Sequence, residues 1–346
     1  MKILMYGGCH AGAMKRIIDR YALGEHQVDM LVNFEMINTK EPFPYERLPQ
    51  YDLLIFNPIL NRGDWNTVHL EAECDRVGLR YLKYPWLQWG GYWPEPRTRY
   101  WGEKRSEWGV PMLLPLGAEH AARGAKAGFD SFYEALYEPR SFERVMPEWV
   151  EATTRRLKQI ETQGAVDLPI SDYVLDNFRR EQLFLTPNHP NTPLYKFLFR
   201  GIERACGLKL DPAFYAVDRP VQEGTRLPVL PGVAELLGLG FRSSEWAHHS
   251  VVGGQYFTLR EWAHTHYEAL PTVIATATTD TWLKNQPSIE GAIRIRARRN
   301  SRHLLVQDDS ASSPGYVAGR LFGAELPAGC QYLFRPHWTF DRAQFR

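Results

Sequence analysis

Ile3-Leu4-Met5-Tyr6 is a short apolar run that stops at Gly7-Gly8, and Cys9 and His10 follow at once. Apolar spacing over residues 13–21 then predicts a helix. A strand that turns within a few residues into a helix is the opening of a βα unit. It commits the chain to a sheet with parallel strands, because the helix must cross the sheet face before the next strand begins. It also fixes where chemistry can sit. The turn lies at the carboxyl edge of the sheet, where open α/β sheets bind their ligands. A thiol at a helix N-terminus is biased toward the thiolate, and the bare N–H groups there can hold a phosphate or an oxyanion. The bland alternative is a tight turn in which glycine permits close packing and Cys9 is a small buried residue.

The alternation continues. Residues 27–33 and 51–56 read as a second and third strand, residues 66–77 as a helix and residues 79–84 as a fourth strand. This pattern predicts an α/β protein built on a parallel sheet with helices on both faces. Residues 85–115 break the pattern with Pro, Gly, Trp and Arg, and predict an aromatic-walled loop or groove. A helical region follows over about residues 118–206, with Asp167 and Ser171 as candidate caps and Thr192 opening a helix that has Pro193 at its first position. Two further helices are predicted over 228–240 and 259–270. Residues 292–298, 303–307, 315–322 and 331–334 alternate like strands with one wet face. We therefore expect a main domain over 1–270, carrying large helical insertions, and a small antiparallel β-rich appendage over 271–346.

Composition narrows the function. Lys+Arg and Asp+Glu number 41 and 40, a net charge of +1, so electrostatics argue for neither nucleic acid nor an anionic membrane as partner. No apolar run approaches the roughly 20 residues of a membrane span, and no leader pattern is visible. The four cysteines, Cys9, Cys74, Cys206 and Cys330, are scattered without a CxxC pair. The expectation is a cytoplasmic protein with reduced thiols. His248/His249 and His264/His266 lack the spacing that puts two rings on one helix face, so no metal site is expected. Arg294, Arg296, Arg298 and Arg299 read as a solvated strand face.

The first turn has neither a full GxGxxG nor GxxxxGK[ST]. It resembles the nucleophile turn of SGNH-type esterases, with cysteine in place of serine. A cysteine nucleophile needs a base. His189 stands out among eleven histidines because Asn188-His189-Pro190 is a Pro-bracketed turn just before a helix. His10 ranks below it, since neighbouring side chains in a turn diverge, and is kept as a local modulator or substrate contact. Asn57 follows the third strand and could donate to an oxyanion at the same sheet edge, or form an Asx turn before Pro58. Gln88 and Tyr92 follow the fourth strand and fall on that edge too.

Three segments together resemble one family: a first strand ending in Gly-x-Cys (Gly7-Gly8-Cys9), a third ending in Asn57-Pro58-Ile59, and Phe184-Leu185-Thr186-Pro187-Asn188-His189-Pro190. In this order they look like the WcbI-type polysaccharide biosynthesis acetyltransferases, over about residues 1–270. The aromatic loop from Tyr84 and the segment 227–239 fit as well. The resemblance implies an SGNH- or flavodoxin-like α/β core carrying many helices, and a coenzyme A-binding enzyme that transfers an acetyl group from acetyl-CoA to a sugar hydroxyl in capsule or exopolysaccharide synthesis. It implies Cys9, His189 and Asn57 as catalytic residues. Gly7, Gly8, His10, Arg16 and Asn188 would then bind coenzyme A, with Arg97 and Arg179 as further candidates for its phosphates. Gln88, Tyr92 and Trp93 would bind the carbohydrate. The family commonly carries Gly-Asn-Cys-Gln where this chain has Gly7-Gly8-Cys9-His10, and often Gln where it has Asn57. Two other readings stand beside this one: an SGNH-like esterase or deacetylase with water as acceptor, and a non-catalytic carbohydrate-binding protein.

Overall fold

The computed structural model describes residues 1–60, 62–93, 129–143, 145–221, 226–241, 246–249, 255–267, 295–300, 303–308, 331–336 and 343–345. Expectations for residues 94–128, including Arg97 and the first part of the helical region, and for a strand over 315–322, lie outside these residues. So does Arg294.

The N-terminal alternation forms an α/β layer. Strand β1 (Lys2–Gly7) leads to helix α1 (Cys9–Tyr21), strand β2 (Gln27–Val32), helix α2 (Asn33–Thr39), strand β3 (Leu53–Phe56), helix α3 (Thr67–Val77) and strand β4 (Arg80–Lys83). The sheet order is β2-β1-β3-β4, with all pairs parallel. Such strands are covered on both faces and read as continuous apolar runs. Ile3, Leu4, Met5, Leu53, Leu54 and Ile55 are accordingly all buried. The chain steps from β1 outward to β2, then returns to lay β3 on the other side of β1. The order reverses between β1 and β3, the kind of switch point at which open α/β sheets bind their ligands.

Two local details depart from the sequence reading. Helix α1 begins at the cysteine itself, four residues earlier than expected, and Gly12 N already donates to Gly8 O at 3.1 Å. Asn33, expected to end β2, instead opens α2, which stops where Lys40 takes a left-handed conformation (φ 58°).

The chain divides into two compact units. The first holds residues 1–91, 148–226 and 237–243, and the second 92–147, 227–236 and 244–346. They are interleaved in sequence. Besides the sheet, the first unit contains most of helix α4 (Met146–Gly164), and α5 (Ser171–Asn177), the hairpin of β5 (Phe184–Thr186) and β6 (His189–Pro190), and α6 (Thr192–Cys206). The expected caps are replaced by others. The buried Glu161 carboxylate accepts from Ile170 N at 2.6 Å and Ser171 N at 2.9 Å, so a side chain from the preceding helix satisfies the start of α5. Asp167 accepts from Lys83 N at 2.7 Å and ties down the end of β4. Asn191, not Thr192, caps α6.

In the second unit, helix Phe129–Ala135 precedes a contact in which Gly232 N donates to Leu136 O at 2.8 Å. An antiparallel hairpin, Trp246–His249 with Gln255–Thr258, leads into helix Leu259–Tyr267. The C-terminal strands Ile295–Asn300, His303–Asp308, Gln331–Pro336 and Ala343–Phe345 form one sheet. Its outer pairs are antiparallel, but its central pair, 303–308 with 331–336, is parallel. That corrects the all-antiparallel expectation. A parallel pair needs a crossover of a dozen or more residues, and residues 309–330 supply that length.

Candidate active site

The register places three residues abreast at the carboxyl ends of three adjacent strands. Tyr6 pairs with Phe56, and Phe56 with Lys83. The next residues are Gly7, Asn57 and Tyr84, in a row across the switch point. Gly7 has to be glycine because the row is crowded. A Cβ there would meet Ala11 Cβ at 2.8 Å, Tyr84 Oη at 2.8 Å and Asn57 Oδ1 at 3.1 Å. Asn57 and Tyr84 are buried, and neither Asn57 Oδ1 nor Tyr84 Oη has a hydrogen-bond partner. Burial first, and then the charge available on Cys9, push the Tyr84 phenol far above the usual tyrosine value. It therefore stays protonated and can only act as a neutral donor or acceptor. Tyr195 on α6 is raised by the same two causes and by Tyr84, with Arg16 opposing.

Helix α1 starts at this row with its N-terminus undressed. Gly8 offers no side-chain cap, and the first turn carries no acidic residue. The N–H groups of that turn keep the partial positive charge of a helix start. Cys9 stands there exposed. Asn33 and Phe34, from the start of α2, flank the preceding Gly8: a Cβ there would lie 3.7 Å from Asn33 Oδ1 and 3.6 Å from Phe34 Cδ1. The Phe34 ring is half exposed.

The second segment of the site arrives from the far side of the sequence. His10 Nε2 and Asn188 O are 2.6 Å apart. Inside the β5–β6 hairpin, Thr186 pairs with His189, and Thr186 Oγ1 donates to Asn188 Oδ1 at 3.0 Å. The loop after β4 pins the hairpin from outside, because Trp89 N donates to Pro187 O at 2.8 Å. Trp89 is itself anchored through its indole N–H to Thr154 Oγ1 at 3.1 Å. His189 is half buried and close enough to His10 for its charge to disfavour protonation there.

An exposed thiol on a bare helix start, beside buried polar atoms that lack partners and a histidine in a braced turn, is an arrangement for attack on a carbonyl. The comparisons agree on the lineage. The sequence model of the polysaccharide biosynthesis enzyme WcbI matches residues 2–211. The chain belongs to the WcbI family. The matched span takes in the Cys9 turn, Asn57, Tyr84 and the Asn188-His189 turn. A solved structure of WcbI, described as a novel polysaccharide biosynthesis enzyme and as the native protein without a disulfide bond between coenzyme A and a cysteine, superposes with a TM-score of 0.56. The identity is 16%, and the match covers 78% of this chain and 94% of that one. At that identity the likeness establishes the fold. No curated protein matches the chain.

For this WcbI-family chain, the structure brings together Gly7, Gly8, Cys9, His10, Asn57 and Asn188, with His189 adjoining. Gln88, half buried, lies in the loop that braces the hairpin, its N–H donating to Trp86 O at 2.8 Å. Arg16 is exposed on α1, one helical turn past Gly12. Tyr92 and Trp93 differ from the expectation of a sugar-stacking surface. Both belong to the second unit and are fully buried, Tyr92 edge-on to Trp93 at 5.4 Å, with Trp93 Nε1 donating to Pro228 O at 3.0 Å. Aromatic rings with satisfied N–H groups pack as core. Tyr84 and Trp89 are likewise buried, whereas Trp86 is half buried and packs on His10 at 5.0 Å between ring centroids. Sequence reasoning missed Asn33, Phe34 and Tyr84 as site neighbours. For Tyr84 a signal existed: it follows β4 as Asn57 follows β3. Among the described residues, no group of three or more His, Cys, Asp or Glu side chains could hold a metal ion. No described helix is long and apolar enough to cross a membrane.

Proposed function

We propose that this WcbI-family enzyme is an acyl-CoA-dependent O-acetyltransferase that modifies a sugar hydroxyl in capsule or exopolysaccharide synthesis. The observation that carries the reading is the exposed Cys9 on the uncapped start of α1, two residues after Gly7 in the row where the buried Asn57 Oδ1 and Tyr84 Oη lack partners. A thioester suits such a site. Its carbonyl oxygen gains charge during attack, and bare N–H groups at a helix start stabilise that charge without reorganising. The description of the similar structure, which names coenzyme A and a cysteine while stating that no disulfide joins them, supports coenzyme A as the carrier.

In this reading the Cys9 sulfur attacks the acetyl carbonyl, the thioester C–S bond breaks, and the coenzyme A thiol leaves. His189 then takes the proton of the sugar hydroxyl as its oxygen attacks the acetyl group on Cys9. The ester departs and the proton returns to the Cys9 sulfur. Asn57 would donate from its side-chain NH2 to the developing oxyanion. Arg16, exposed on the same helix, would meet phosphate charge, and Gln88 would contact the acceptor.

Intact mass measurement after mixing with acetyl-CoA tests this. The expected result is an acetyl adduct that is absent in Cys9→Ser and persists in His189→Ala, where transfer to sugar fails. No adduct, together with no thermal stabilisation by coenzyme A or acetyl-CoA, would overturn the proposal and favour hydrolysis of an ester at the same site.

A further inference from the structure

We infer that His10 is the positioning residue that holds the Asn188-His189 turn against the cysteine turn, and that it works as the neutral imidazole with its proton on Nε2. Only its effect on rate rests on the acyl-transfer reading.

The tautomer follows from the partner. Asn188 offers His10 a carbonyl oxygen at 2.6 Å. A carbonyl only accepts, so Nε2 carries the hydrogen. Nδ1 is then the bare nitrogen, and it is buried with no partner. A second proton at Nδ1 would put a charge where nothing receives it. Burial accordingly holds the imidazole down to about 4, against the upward pull of the Asn188 carbonyl, and the neighbouring His189 adds to the depression. The ring itself has no room to swing, being 1% exposed and packed on Trp86.

What this bond fixes is more than a loop. The Asn188 carbonyl belongs to the same rigid peptide plane as the His189 N–H. Holding that oxygen sets the plane from which the His189 side chain departs. On the other side Pro190 confines His189 to extended backbone, in keeping with its place in β6. His10 therefore adds a hold on the Asn188 peptide plane to the Thr186–His189 pairing of the hairpin. The bond joins segments 178 residues apart, the first βα turn and the β5–β6 hairpin. Its position immediately after Cys9 means that one helical turn carries both the thiol and the brace for the histidine.

The test uses the full chain with His10→Leu, which fills the space without a donor, His10→Ser, which is too short to reach, and His10→Gln, which restores an N–H donor of similar reach. Hydrogen–deuterium exchange is followed for peptides spanning residues 183–192, and kcat and KM for acetyl transfer are measured beside it. Leu and Ser should speed exchange in that segment. They should lower kcat by about tenfold, the rate equivalent of one ordinary hydrogen bond, with KM for acetyl-CoA changed by less than about twofold. Gln should restore both exchange and kcat. Wild-type exchange and kcat in a folded Leu or Ser variant would overturn the inference, as would a Gln variant no better than these. If the wild-type chain transfers no acetyl group, the functional reading fails while exchange still decides the brace: protection in Gln but not in Leu or Ser upholds it, and uniform exchange refutes it.

Discussion

Gly7→Ala probes the packing of the site with a single methyl group. The added Cβ would sit 2.8 Å from Ala11 Cβ and from Tyr84 Oη, and 3.1 Å from Asn57 Oδ1, where ordinary contact begins at 3.4 Å. None of these neighbours can yield cheaply. Ala11 lies in the first turn of α1, and all three are buried. Relief requires the start of α1 to recede by roughly half an ångström, and overpacking of this kind costs about 1–3 kcal/mol. Ala11 and Cys9 share that turn, so the shift is passed to the sulfur. A misplacement of 1 Å costs on the order of a hundredfold in rate, and half of that distance should cost about tenfold. Gly8→Ala is the internal control. Its Cβ finds nothing nearer than Phe34 at 3.6 Å, and alanine at the cap position should cost under about 1 kcal/mol. The assays are urea denaturation of the full chain, the rate of Cys9 alkylation by iodoacetamide, and acetyl transfer. A Gly7→Ala protein within about 0.5 kcal/mol of wild type, or equal losses at both glycines, would refute the reasoning.

Two further outcomes are expected. The His10 imidazole is held at about 4 in the folded chain against an ordinary 6.5, with His189 the titratable group that faces it. Below pH 6.5 the unfolded chain takes up a proton that the folded chain refuses, so this group's stability is intact above that pH and is lost as pH falls toward 4. The loss amounts to up to about 3 kcal/mol. Urea midpoints measured from pH 7 to 4.5 should show a steeper acid decline in wild type than in His10→Gln, and parallel curves would contradict it. Tyr84→Phe removes a buried hydroxyl that has no partner. Deleting such a group should leave stability unchanged or raise it by up to about 1 kcal/mol, while slowing acetyl transfer. A destabilised variant with full activity would show the opposite assignment, a hydroxyl satisfied in the resting fold and idle in the reaction.

Much of the first unit is legible in the sequence because its signals are local. The apolar runs at 3–6 and 53–56 need no partner to announce buried parallel strands, and Gly7-Gly8 announces the turn. Asn188-His189-Pro190 is conspicuous because proline restricts its neighbours whatever surrounds them. Capping was read less well, since a local pattern cannot see a remote acceptor. Ser171 has the right chemistry for a cap, yet the buried Glu161, ten residues earlier, takes its place. The Tyr92 and Trp93 rings suggested a platform because composition reports how many aromatic rings there are and not which way they face. The parallel pair in the C-terminal sheet was missed for a related reason: alternation gives a strand its wet face but not the direction of its neighbour.

The sequence by itself determined the βα beginning, the parallel sheet and the two segments that carry sulfur and imidazole, because glycine, proline and apolar spacing act over a few residues. The tertiary structure alone decided how those segments meet. Register across three strands puts Gly7, Asn57 and Tyr84 in one row, and a hydrogen bond spanning 178 residues turns His10 from a bystander of Cys9 into the brace of His189. Such contacts depend on which strand lies beside which and on where water is excluded. No stretch of chain carries that information until the sheet has formed.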